Sequence, residues 1–148
     1  MNIEHRTSNI RHRSDGNQKG LEPSRIFDLE ERLLNYAARI VRLVERLPRT
    51  RAGAHLADQL LRSGTAPLLH HGEAQGAESP RDFQHKLRLC LKESREAERT
   101  LRLIERVPLV KPPTRLSGLL SETDELIRIF VASIRTSEEK QPLSKRRR

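Results

Sequence analysis

Aromatic side chains are scarce: the 148 residues hold no tryptophan, one tyrosine and three phenylalanines. Tyr36, Phe83 and Phe130 fall on apolar helical stripes, and Phe27 precedes the first expected helix cap. No set of rings is left to stack nucleobases, so base reading by an aromatic platform is excluded. Cysteine is as sparse, with Cys90 alone. One thiol excludes an intramolecular disulfide and a cysteine-rich zinc site, and it fits a reducing compartment. No apolar run approaches the roughly 20 residues a membrane span needs, and the N-terminus has no apolar core of a secretory signal. A soluble, cytoplasmic chain with no membrane partner is expected.

Charge is plentiful. The formal net charge is +9 and the isoelectric point is about 10.7, a surface that attracts polyanions without regard to sequence. The segment up to Arg25 has five Lys/Arg against three acids, with few and aperiodic apolar residues. That composition predicts a disordered basic arm over residues 1–25. A transit peptide is a rival reading, opposed by Glu4, Asp15 and Glu22, and an extension upstream of the true start is another. The segment from Thr136 has five Lys/Arg against two acids and ends in Lys145-Arg146-Arg147-Arg148. Residues 138–148 read as a second disordered basic tail.

Between the tails, residues 26–137 carry four helical patterns and no strand pattern. Asp28 is the expected cap of the first, with Glu30 and Glu31 suited to the helix dipole. Its stripe runs Leu29, Leu33, Tyr36, Ile40, Val44 and Leu47 until Pro48, predicting a helix over 28–47. Thr50 is positioned to cap a second helix over 51–75. Ser79-Pro80 is a strong start for the third, and Asp82 resembles the acid of a capping box. Phe83, Leu87, Cys90, Ser94, Ala97, Leu101 and Ile104 then recur in phase, predicting a helix over 80–106. After the Lys111-Pro112-Pro113 linker a fourth helix is expected over 115–135. Short links between four amphipathic helices predict an all-α, up-down-up-down antiparallel four-helix bundle with disordered basic tails at both ends.

The chain is organised around its second helix. Leu56, Leu60, Gly64, Pro67, His71 and Ala74 form one stripe built largely of small and polar residues. Such a stripe admits a close neighbour helix. Pro67 would ordinarily break the helix, but the stripe stays in phase across it.

Several stretches together resemble a known family. They are Gln59-Leu60-Leu61-Arg62-Ser63-Gly64-Thr65, Gly72 to Ser79, Asp82-Phe83, Lys86-Leu87, Leu91-Lys92-Glu93 and Asp124 to Phe130. The pattern is similar to the four-helix-bundle family also called the ribosomal-RNA intervening-sequence protein family, some members of which are encoded within bacterial large-subunit rRNA genes. The match covers roughly Ile26 to Ser137. It implies subunits of a pentameric ring and no catalytic activity or cofactor. A related branch, the accessory protein of diversity-generating retroelements, implies nucleic acid and a reverse transcriptase as partners. His70-His71 departs from the family pattern, which has an asparagine before an apolar or aromatic residue.

Candidate sites are few. His70 and Glu73, and Asp82 and His85, have the i, i+3 spacing of carboxylate-histidine pairs, but no Glu-x-x-His of the di-iron type exists. Asp82 serves better as a first-turn acid, so no metal site is expected. Cys90 sits on a core stripe, and Ser63 lacks any nucleophile or phosphate-loop context. No catalytic residue is assigned. Arg62, Glu73, Lys92, Glu93 and Glu96 flank the second and third stripes and suggest an ion network between those helices, against the alternative of five solvated charges. Arg39, Arg42 and Lys145 to Arg148 are the candidate phosphate contacts. The reading is a non-enzymatic, ring-forming bundle that binds RNA or DNA through phosphates. The alternative is a pure assembly module.

Overall fold

The computed structural model describes residues 24–141. Four helices follow one another: α1 (Ser24–Val44), α2 (Arg51–Gln75), α3 (Pro80–Arg106) and α4 (Ser117–Glu139), with a 3-10 turn at Pro113–Leu116 leading into α4. They form an all-α antiparallel bundle, and the described residues contain no strand. The helices lie in cyclic order. α2 and α3 share the most extensive interface and α1 and α4 the sparsest.

The caps arise locally. Thr50 Oγ1 accepts from Gly53 N at 3.1 Å, and Ser79 Oγ accepts from Asp82 N at 3.1 Å. Asp82 reaches back to the Glu78 backbone N–H at 3.3 Å, so the acid is spent on the helix start. Pro67 leaves α2 unbroken and buried. It has no N–H for the Ser63 carbonyl, and its own carbonyl accepts from the Cys90 thiol of α3 at 3.5 Å.

Four boundaries differ from expectation. α4 begins at Ser117 and not at 115, after the 3-10 turn Pro113–Leu116. α1 begins at Ser24, so Asp28 lies within the helix and is not its cap. The backbone from Ser24 to Phe27 is helical as well. The same helix stops at Val44, and Arg46 and Leu47 close a tighter turn with bonds to Leu43 O and Val44 O. Pro48 disfavours helical backbone at the residue before it, yet Leu47 stays buried. α4 runs on to Glu139 because no glycine or proline stops it before Pro142. Glu138 and Glu139 therefore belong to the bundle and not to the tail. Residues 1–23 of the arm and residues 142–148, with Lys145, Arg146, Arg147 and Arg148, lie outside the described residues.

The core follows the stripes: Leu33, Tyr36, Ile40, Leu60, Leu87, Cys90, Ala97, Leu101, Ile104, Leu126 and Phe130 are all buried. Small residues set the α1–α2 distance. A Cβ at Gly64 would fall 2.8 Å from both Cγ1 and Cγ2 of Ile40, inside contact distance.

Candidate functional site

One edge of α1 faces α4 along a polar seam. Arg32 forks onto Glu122, with Nε to Oε1 at 3.1 Å and Nη2 to Oε2 at 3.0 Å, and also reaches Glu125 at 2.6 Å. The Glu122 hydrogen bond is the main cause holding its guanidinium pKa above the ordinary value. One turn on, Tyr36 meets Thr123 at 2.7 Å. A turn further, the Arg39 guanidinium lies over Gly118, where a Cβ would come within 2.9 Å of Nη2. Arg32, Tyr36 and Arg39 are spaced four and three apart, the period of one helix edge. The sequence reading missed Arg32, because its carboxylate partners lie about 90 residues away.

Beyond Arg39 the seam opens into a cleft of about 280 Å³. Arg39 and Arg42 of α1, with Arg46 of the turn that follows it, line one side, and Lys111 and Arg115 of the α3–α4 link line the other. Leu43, Leu109, Val110 and Leu119 complete its apolar floor. No acidic residue lines it, and none of the five cations has an ion-pair partner among the described residues. All five are exposed. Arg39 and Arg42, singled out from the sequence, thus share one cleft. Arg46, Lys111 and Arg115 were not found, since the link that carries two of them reads as a linker.

The cleft lies within a wider segregation of charge. The antiparallel topology brings residues 39–57 and 98–121 to one end of the bundle. These segments hold ten Lys/Arg against three acids, Glu45, Glu98 and Glu105. The remaining described residues hold eleven Lys/Arg against fourteen acids. The excess positive charge of the described chain is therefore concentrated at one end.

The α2–α3 network divides in two. Arg62 pairs with Glu96 and, at 3.3 Å, with Glu93, whose side chain is only 11% exposed. Glu73 joins a separate cluster, with Lys86 Nζ at 2.8 Å and His70 Nδ1 at 3.3 Å. Lys86 and then His70 hold the Glu73 carboxyl below its ordinary pKa. Lys92 enters neither cluster and is exposed. It lies one helical step from Glu93, which turns it away from α2. The two clusters are therefore local clamps and not one network.

The remaining polar groups belong to the interior. His71 is buried, with Nε2 at 3.3 Å from Gln75 Nε2 and Nδ1 without a hydrogen-bond partner. Burial pushes its pKa below the ordinary value, partly opposed by Glu30 of α1. Burial raises the Cys90 thiol to about 12, which makes it an inert core group. Among the described residues no three His, Cys, Asp or Glu side chains gather as a metal site.

No family model matches the chain, and no curated protein does. A solved structure is similar, that of a protein of unknown function from the S23 ribosomal protein family of Bacteroides thetaiotaomicron. It is 28% identical, with a TM-score of 0.68 over 74% of this chain and 97% of that one. The likeness supports the family at a coarse level.

Proposed function

We propose that this chain is a non-enzymatic four-helix protein of the ribosomal-RNA intervening-sequence type, which binds RNA or DNA through phosphates at its basic end. The observation that carries the reading is the end formed by residues 39–57 and 98–121, with ten cations against three acids. Such a surface releases counterions from a nucleic-acid backbone, so affinity is strong at low salt and falls log-linearly as salt rises. Phosphate contacts position a protein without reading sequence, which suits a chain whose Tyr36 and Phe130 rings are buried in the core. The S23 ribosomal-family name of the similar structure favours RNA as the polyanion. Copies arranged in a ring would multiply the charge, and a reverse transcriptase or another nucleic-acid enzyme would be the protein partner.

The test is a filter-binding salt titration of the full chain on one RNA. Arg42→Ala and Arg46→Ala each lower affinity and together act additively, and each flattens the salt slope by about one, as expected for one phosphate fewer neutralised. Absence of binding at about 50 mM salt, where the attraction is strong, refutes the reading. An assembly module is the second reading, favoured by the exposed Leu34, Val41, Leu61 and Leu69.

A further inference from the structure

The cleft has a property that a plain phosphate-binding surface does not need: an apolar floor between its cations. Backbone phosphates call for exposed positive charge alone. Leu43, Leu109 and Leu119 offer them nothing, yet these side chains form the base of the same concavity as Arg42, Arg46 and Arg115. At about 280 Å³ it falls near the lower limit of small-molecule pockets, roughly 300 Å³. That is a size for a single nucleotide and not for a helical duplex. Guanidinium planes substitute for aromatic rings as stacking partners for unpaired bases, and four arginines border the opening.

We infer that this cleft seats one unpaired nucleotide, with its phosphate on the Arg and Lys side chains and its base against the leucine floor. This deepens the phosphate-binding reading and rests on it. The ligand class is single-stranded nucleic acid, because a paired base is stacked and cannot enter a concavity. At the rim the Arg39 guanidinium lies over Gly118, where a Cβ would meet Nη2 at 2.9 Å. Because only the mobile end of a side chain stands in the way, Gly118→Ala moves the guanidinium and leaves the backbone in place.

The decisive comparison uses the full chain with a single-stranded RNA oligonucleotide and the RNA duplex of the same sequence, at about 50 mM salt. Charge density alone favours the duplex, whose counterion release per phosphate is the greater. Seating of one base reverses that order and makes the single strand the tighter ligand by roughly tenfold. Leu109→Ser, which makes the floor polar without changing charge, brings the two affinities together while duplex binding stays within about twofold, and Gly118→Ala, which displaces the phosphate contact Arg39, weakens both ligands and the single strand more, so that the preference narrows. Thermal melts of both variants show that the fold is kept. Equal affinities, or a tighter duplex, for the unaltered protein overturn the nucleotide site and leave phosphate binding standing. A preference that survives in both variants also overturns it, by placing the preference elsewhere. Failure to bind either RNA removes both readings.

Discussion

Tyr36 donates its phenolic proton to Thr123 across the α1–α4 seam. The two oxygens lie 2.7 Å apart, and Thr123 commits its own proton to the Leu119 carbonyl at 2.6 Å. Burial raises the Tyr36 pKa from 10.0 to about 12. Ionisation therefore removes the donor from a buried bond.

Alkaline stability follows from that shift. Between pH 10 and about 12 the unfolded chain loses the Tyr36 proton while the folded one keeps it. The unfolded state then binds fewer protons, so stability falls as pH rises, by about 2–3 kcal/mol across the window. Tyr36→Phe flattens this limb in urea melts taken from pH 9 to 12, after an initial loss of roughly 1 kcal/mol for the hydrogen bond. An unchanged alkaline limb in the variant would contradict the assignment.

His71 works in the opposite direction. Its pKa lies below 6.5 in the fold because burial disfavours the cation. Its contribution is present above pH 6.5 and is lost as pH falls through the folded value, since the unfolded chain takes up the proton first. His71→Leu reduces the acid sensitivity of the melting temperature between pH 7 and 5, and a variant as acid-sensitive as the parent would rule this out.

Gly64 and Ile40 set the α1–α2 approach. Gly64→Ala improves helix propensity by about 1 kcal/mol, yet its methyl meets two Ile40 carbons at 2.8 Å. Overpacking prevails, with a net loss of roughly 1–3 kcal/mol. Adding Ile40→Ala makes room for the methyl, so the double variant loses less than the sum of the two single ones. Strict additivity in denaturant melts would show that the two sites are independent.

The third-helix stripe carries a simpler expectation. Leu87 and Leu101 are 2% and 0% exposed, so truncating either to alanine costs about 2–5 kcal/mol. A loss under about 1 kcal/mol in urea unfolding would be incompatible with that burial.

Self-association is expected from the outer face. α1 and α2 run antiparallel with Ile40 at Gly64, so Val41 stands about level with Leu61, and Leu34 with Leu69; all four are exposed. Leu68, Leu89 and Ile129, which the pattern also leaves outside the stripes, are instead half-buried. Light scattering at tens of micromolar should give an oligomer mass, and Leu34→Glu with Leu61→Glu should reduce it to the monomer. A monomer mass for the unaltered protein refutes this.

The sequence by itself determined the helices, their caps and the core face of each. Those properties depend on residues within a turn or two: Ser79 and Asp82, Thr50 and Gly53, and the Phe83-to-Ile104 stripe. Its errors at Asp28 and Leu47 have the same local origin, since a cap signal and a helix stop compete within one turn. Charge allowed no such reading. Along the chain Arg39 and Arg42 stand about seventy positions from Lys111 and Arg115, and the net charge is the same wherever they stand. Only antiparallel packing of α1 against the α3–α4 link gathered these cations around an apolar floor. Likewise Arg62 could reach Glu93 and Glu96 only once α2 lay against α3, with Lys92 turned away. Electrostatic attraction depends on distance in space, and for residues some seventy positions apart the tertiary fold alone sets that distance.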